Sequence, residues 1–329
     1  MRSAGAPTGR GGPDHQRLVT KLFQDRARRW DEVYRREDLL SVIIRLRHER
    51  ALAWMDGLGL APGLQALEVG AGAGVMTAAL ADRGLLVQAV DRSPAMLELA
   101  RSRAAAADVP ARVALTQADA GQLPYADGAF TLVVALGVIP WLPSAAAAAG
   151  ELARVLRPGG FLVVCAENSA KLNILLDPRH HPWLQPARSA VKAGLMRMGA
   201  WKPAAGPRIT AHRSAEFDRI LAQSGLRPLA RCTLGFGPFT LLGLAVLPER
   251  LGLRVNGCLQ RLTDRGVPGV RSAGSQYLVL AARTARLPDV GELRAAGRSA
   301  AVTAGPGPPS PAPGRRSPSG SPAAGVGPP

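Results

Sequence analysis

The chain has 329 residues, 47% of them hydrophobic, enough for one sizeable core with additions. Its three cysteines, Cys165, Cys232 and Cys258, form no Cys-x-x-Cys pair or Cys/His cluster, which argues against a disulfide framework or a zinc site and predicts a reducing cytoplasm. The net charge of +17 is uneven, with 7 basic and 10 acidic side chains in residues 51–169 but 17 basic and 5 acidic in 170–285. A positive field able to draw in anionic ligands, membranes or nucleic acid is therefore expected from the second half.

Residues 1–13 are glycine-rich and polar, and predict a disordered start without a secretory signal. From Asp14 to Leu58 apolar residues recur at three- and four-residue steps among charges, which predicts two helices ahead of the core. Short apolar runs then alternate with helical segments, the mark of βαβ units and a parallel sheet. Strands are expected at Ala66–Val69, Leu86–Val90, Val113–Thr116, Phe130–Ala135 and Phe161–Ala166. Helices are expected at Gly74–Arg83, at Pro94–Ala106 behind a Ser93 cap, and at Ser144–Leu156, with Pro158-Gly159-Gly160 as a tight turn into the fifth strand. Residues 168–210 read as a long insertion, a candidate lid. A helix capped by Ser214 follows to Ser224, with final strands at Pro228–Leu234 and Gln276–Ala282. The uncharged run Cys232–Pro248 is broken by glycine and proline and predicts a strand followed by a buried or interfacial segment, not a membrane span. From Leu287 the chain turns to Pro, Gly, Ser and Ala, the composition of a disordered tail.

The chemistry concentrates in Ala66-Leu67-Glu68-Val69-Gly70-Ala71-Gly72-Ala73-Gly74, a strand running through an acidic residue into a glycine-rich turn that opens a helix. Such a turn lets backbone approach a ligand and presents free N–H groups. A dinucleotide fingerprint needs G-x-G-x-x-G, whereas the spacing here is G-x-G-x-G.

With this motif the sequence resembles the class I S-adenosylmethionine-dependent methyltransferases, whose first motif reads acidic-x-G-x-G-x-G. Further landmarks follow in the family's order. Asp91 matches its ribose-binding acidic residue after strand two, and Asp119 the acidic residue near the adenine amino group. Asp127-Gly128-Ala129-Phe130 precedes strand four, with Thr131 where an acidic residue is usual, and Glu151–Gly160 leads into strand five. Phe23-x-x-x-Ala27-x-x-Trp30-Asp31-x-x-Tyr34 is similar to the segment that folds over the cofactor in quinone- and small-molecule-type members, with Trp30 and Tyr34 as pocket candidates. The resemblance implies a Rossmann-like α/β fold with a seven-stranded, mostly parallel sheet and helices on both faces. The methyltransferase domain would span 59–286, with 14–58 as a helical extension. It implies S-adenosyl-L-methionine as cofactor, held by Glu68, Gly70, Ala71, Gly72, Gly74, Asp91, Arg92, Asp119, Ala120 and Leu136 together with Trp30 and Tyr34, and no metal.

Methyl transfer from a sulfonium is an in-line displacement that alignment can largely accelerate, and an oxygen or nitrogen acceptor can also call for a general base. The candidates are Glu167 at the end of strand five, His212, and His180 and His181 in the insertion. Apolar residues beside Arg179, Arg188, Lys192, Arg197 and Lys202 suit an amphiphilic or anionic small acceptor, lipid-like or polyketide-like, with contact at a membrane surface. Two other functions are compatible with parts of the pattern. A nucleic-acid methyltransferase would explain the basic charge, but Ala135-Leu136-Gly137-Val138-Ile139-Pro140-Trp141 lacks the [Asn/Asp]-Pro-Pro-aromatic signature of base-modifying members. A non-catalytic cofactor-binding protein would keep the same glycines and carboxylates. No residue pattern sets an oligomeric state.

Overall fold

The computed structural model describes residues 13–172, 185–198, 207, 209–241 and 244–284. The expected disordered tail, nearly all of the N-terminal stretch, and residues 173–184, 199–206 and 208 of the insertion, with His180 and His181, lie outside these residues.

Ten strands are assigned: β1 Gln65–Val69, β2 Leu86–Asp91, β3 Val113–Gln117, β4 Phe130–Ala135, β5 Leu156–Asn168, β6 Ala211–His212, β7 Leu226–Leu234, β8 Thr240–Leu241, β9 Leu244–Ala245 and β10 Gln276–Arg283. The main sheet runs β3-β2-β1-β4-β5-β10-β7, with the short β6 beside the end of β5. All pairings from β3 to β5 are parallel, and β10 lies antiparallel between β5 and β7. This is the Rossmann-like, mostly parallel sheet. Its order reverses between β1 and β4, and in such sheets ligands bind at the carboxyl ends of the strands on either side of the reversal.

The central strands β1 and β4 bury both faces, as a sheet covered by helices requires, while the edge strand β3 has no fully buried residue. Every residue of β4 is buried. On one face Leu67, Val133 and Val164 meet α6 (Ala145–Val155) and α8 (Ser214–Gln223) through Leu152, Phe217 and Leu221. On the other, Ala66, Leu132 and Val163 meet α3 (Leu39–Asp56) and α4 (Val75–Asp82) through Met55, Met76 and Leu80. Ser93 caps α5 (Pro94–Ala106), its hydroxyl accepting from the Met96 N–H at 3.4 Å.

Several expectations need correction. The N-terminal region holds three helices, α1 (Pro13–Asp25), α2 (Ala27–Val33) and α3: the first of the two expected helices is divided at Arg26, whose backbone leaves the helical region, while Asp38 accepts from the Ser41 N–H at 2.9 Å and starts α3 where the second was expected. Pro158-Gly159-Gly160 is a bulge within β5, where the register steps from Phe130↔Leu156 to Leu132↔Phe161. Ser144 caps α6 without belonging to it, and Ser214 is the first residue of α8, whose Glu216 reaches back to the Arg213 N–H at 3.4 Å. Elements outside those expected from the sequence include β6, the β8–β9 hairpin and α9 (Glu249–Asp264). The inner face of α9 is polar. Asn256 accepts from the Phe236 N–H at 2.8 Å and Gln260 from the Gly235 N–H at 3.0 Å, whereas the apolar residues at helical spacing, Leu251, Val255, Leu259 and Leu262, stay exposed or only partly buried. Between α6 and α8 the structure also places α7 (Gln185–Arg197) within the insertion.

Candidate active site

The glycine-rich turn leaves β1 at the sheet's reversal point. Gly70, Gly72 and Gly74 have φ of 75°, 51° and 74°, a region that favours glycine. The three then differ in role. A Cβ on Gly70 would stand 2.3 Å from Val138 Cγ2 and one on Gly74 2.6 Å from Ala100 Cα, so both serve close packing. A Cβ on Gly72 would meet nothing within 4 Å. Of the three expected to admit a ligand, Gly72 is the one with open space on its side-chain face.

That open side belongs to a cavity of about 250 Å³, lined by Glu68, Gly70, Ala71, Gly72, Asp91, Arg92, Ala118, Ala120, Leu136, Gly137 and Glu167, with Gln16, Phe23, Trp30, Tyr34, Arg47, His48 and Trp141 from elsewhere in the chain. Asp91, at the end of β2, accepts from the Gly72 N–H at 3.0 Å and the Ser93 N–H at 2.8 Å. Burial raises its pKa, and these hydrogen bonds oppose the shift. Glu68 is buried within β1. Burial pushes its pKa up to about 8, against the hydrogen bond it accepts from the Thr77 hydroxyl, so it holds a proton at neutral pH.

Asp119 is not among the cavity-lining residues; its carboxylate pairs at the rim with Arg92 at 3.2 Å and accepts from the Gly121 N–H at 2.9 Å. Ala118 and Ala120 on either side do face the cavity. Arg92 also donates to Gln16 Oε1 at 3.0 Å, and Gln16 Nε2 donates to the Trp141 carbonyl at 2.8 Å, so α1 is tied across the opening. Phe23 stacks edge-on against Trp141 at 5.3 Å and tilted against Trp30 at 5.5 Å, giving the opening an aromatic wall. Phe23 lines the cavity with Trp30 and Tyr34, whereas Ala27 is buried away from it. Tyr34 meets His48 edge-on at 5.2 Å.

The candidate bases separate. Glu167 lines the cavity and pairs with Lys171 at 2.5 Å. His212 does not line it; its Nδ1 lies 3.2 Å from Glu216 Oε1, and its ring tilts over Phe217 on the α8 side of the sheet. Sequence reasoning missed Gln16, Arg47 and His48. The last two stand in the charged run Arg45–Arg50, which reads as a solvated face, yet each is only 8% exposed. Burial pushes the His48 pKa down to about 3, so the ring is neutral. Among the described residues no three His, Cys, Asp or Glu gather as a metal site, and no helix is long and apolar enough to cross a membrane.

Residues 67–164 match the family described as "Methyltransferase domain". The chain is 36% identical over 171 residues to the demethylmenaquinone methyltransferase of Mycolicibacterium paratuberculosis, a match covering 51% of this chain and 70% of that protein. It is also 36% identical over 168 residues to the enzyme of the same name from Mycolicibacterium vanbaalenii, covering 50% and 70%. The fold is similar to that of magnesium protoporphyrin IX methyltransferase from Synechocystis PCC 6803, with a TM-score of 0.54, 18% identity and coverage of 82% of this chain and all of that one. It is similar, too, to geranyl diphosphate C-methyltransferase from Streptomyces coelicolor A3(2), with a TM-score of 0.52, 19% identity and coverage of 83% and 100%.

Proposed function

The chain belongs to the class I S-adenosylmethionine-dependent methyltransferases and methylates a small molecule with S-adenosylmethionine as cofactor; from that premise we propose where its two ligands bind and what the acceptor is. The open side of Gly72, beside the Asp91 carboxylate, carries this reading. Asp91 has acceptor capacity left for ribose hydroxyls, and Gly72 lets the methionyl portion lie against bare backbone. Glu68, Gly70, Ala71, Ala118, Ala120 and Leu136 wall this end, and Trp30 and Tyr34 close it from α2. Arg92 and Asp119 brace its rim through their ion pair. Gly74 supports the turn by letting α5 approach.

The cofactor supplies an activated methyl group on a sulfonium, displaced in line by the acceptor. We assign the acceptor end to the ends of β4 and β5 with Phe23, Trp141 and Ile209, an apolar, aromatic-walled space. The curated relatives are named for demethylmenaquinone, and a quinol-like, amphiphilic acceptor methylated on carbon suits this wall. The 168–210 insertion, with α7, is proposed as a lid over the same end. The exposed Met196, Met198, Ile209 and Leu251, within the basic second half, are proposed as a face for anionic membrane surfaces.

Calorimetry with S-adenosylmethionine and S-adenosylhomocysteine, followed by transfer of a labelled methyl group to demethylmenaquinol, tests the reading. Micromolar-range cofactor binding with label in the quinol is expected. Silence for both cofactor forms beside a clear nicotinamide signal would overturn the cofactor site, and binding without transfer to any quinol would overturn the acceptor.

A further inference from the structure

Arg47 is a buried cation without a counter-charge. Its side chain faces the cavity from α3 and is 8% exposed. Nη1 donates to Gln276 Oε1 at 3.3 Å and approaches Cys165 Sγ at 3.8 Å, while Nε has no hydrogen-bond partner. Among the described residues none of the ion pairs includes it. The nearby acidic groups are otherwise engaged: Glu167 by Lys171 at 2.5 Å, Asp31 by Arg103, and Asp91 by two backbone N–H groups. Glu68 is hydrogen-bonded to Thr77 and protonated at neutral pH, and His48 and Tyr34 are neutral there, Tyr34 because burial raises its phenol. A guanidinium presents five donors in a planar fork, and burying one unpaired is costly. Its missing partner is an anion.

The position of the fork selects between two sources of that anion. Its contacts lie at the tips of β5 and β10, and its Nη1 would stand 2.9 Å from a Cβ on Gly137, just past β4. Asp91 ends β2, on the other side of β1. With strands about 4.8 Å apart, the two to four spacings from β2 to β4, β5 and β10 put roughly 10–19 Å between the two groups. Resting on the cofactor placement above, a cofactor held by Asp91 and Gly72 would leave the end past β4, where Arg47 stands, to the acceptor.

We propose that Arg47 holds the ionised oxygen of the acceptor and so selects molecules bearing an acidic phenolic or enolic hydroxyl. The hydroxyl proton leaves to solvent as the anion binds. The oxygen's electron pair, delocalised onto the neighbouring ring carbon, forms the new carbon–methyl bond while the sulfur–methyl bond breaks with its pair left on sulfur. The proton on that carbon then leaves to solvent and the ring regains aromaticity. No general base is required at the acceptor oxygen, in keeping with Glu167 tied to Lys171 and His212 outside the cavity.

The test uses the full chain saturated with S-adenosylhomocysteine and 4-nitro-1-naphthol, a bicyclic phenol whose anion absorbs in the visible. In the wild type the bound probe should titrate about one pH unit below its free value, a tenfold preference for the anion. Arg47→Lys should keep part of this shift and Arg47→Met should abolish it, with S-adenosylhomocysteine affinity within threefold of wild type in both. Absence of probe binding or of any shift in the wild type overturns the proposal, and that titration decides the matter should a variant fail to fold. A full shift in Arg47→Met, or a tenfold loss of S-adenosylhomocysteine affinity with the shift intact, overturns it too, the latter pointing to the cofactor's carboxylate. Failure of demethylmenaquinol as a methyl acceptor would instead sink only the quinol reading.

Discussion

Gly72 separates ligand binding from folding because its side-chain direction is empty. Alanine there meets no protein atom within 4 Å, so the folded state bears only the strain of a φ of 51°. That strain is about 1–2 kcal/mol, which for a domain of this size lowers Tm by about 2–8 °C. Bound S-adenosylmethionine, by contrast, would share its space with the new methyl group. Overpacking of that kind costs about 1–3 kcal/mol, or about 5–150-fold in Kd, and Gly72→Val should abolish binding. Gly74→Ala is the control, since its Cβ would stand 2.6 Å from the Ala100 backbone and 2.8 Å from its Cβ. Its stability loss should exceed that of Gly72→Ala. Differential scanning calorimetry and isothermal titration on the three variants read both quantities. The reasoning fails if Gly72→Ala binds S-adenosylmethionine within twofold of wild type, or if its Tm falls as far as that of Gly74→Ala.

Asp91→Ala should weaken S-adenosylmethionine binding by about 1–3 kcal/mol in titration calorimetry, through loss of charge-assisted hydrogen bonds. Glu68 has a folded-state pKa of about 8 against an ordinary 4.5, so the folded chain binds the extra proton and stability falls as pH rises through that window. Glu68→Gln, which mimics the protonated form, should therefore gain Tm relative to wild type steadily from pH 5 to pH 8, and a constant difference would refute the assignment. A chain ending at Arg286 should keep its Tm and cofactor Kd within error, because the composition beyond that point cannot bury enough apolar surface to offset ordering. Arg250, Arg254 and Arg261 lie exposed on α9; with about 1 kcal/mol per basic residue near an anionic surface, their joint replacement by Gln should cut sedimentation with phosphatidylglycerol vesicles about 100-fold and leave cofactor Kd unchanged.

The parts of the fold legible in the sequence are those where local chemistry and tertiary role coincide. β1 to β4 are apolar runs with turn residues at their ends, and they appear within a residue or so of their expected limits. Asp91, which lines the cavity, was legible because it closes β2 at the position of the family's acidic residue, although it also caps the turn through the Ser93 N–H. Asp119 sits in an equally suggestive loop, but its neighbour in space is Arg92, 27 positions earlier, and the ion pair turns its carboxylate aside. α9 carries Leu251, Val255, Leu259 and Leu262 at helical spacing, but it buries another face through Asn256 and Gln260, a packing that periodicity does not indicate. Arg47 and His48 escaped notice as charged residues in a charged run that happen to face inward.

These differences follow a division within the site. The proposed cofactor end has its polar framework in residues 68–93, with hydrogen bonds from Gly72 and Ser93 to Asp91 and from Gly70 and Ala71 to the Val90 carbonyl, and takes apolar walls from Ala118, Ala120 and Leu136. Such local wiring is fixed by one βαβ unit and shows in one stretch of sequence. The other end draws Gln16, Phe23 and Arg47 from the N-terminal helices, Trp141 from beyond β4, Glu167 from β5 and Gln276 from β10. Its geometry depends on how α1 to α3 dock, through contacts such as Gln16 to the Trp141 carbonyl, 125 positions apart. Substitutions in α1 to α3 can therefore reshape the acceptor end while the Gly72–Asp91 pairing stays intact. A family built this way can keep one methyl donor and change acceptors by altering helices that precede the sheet.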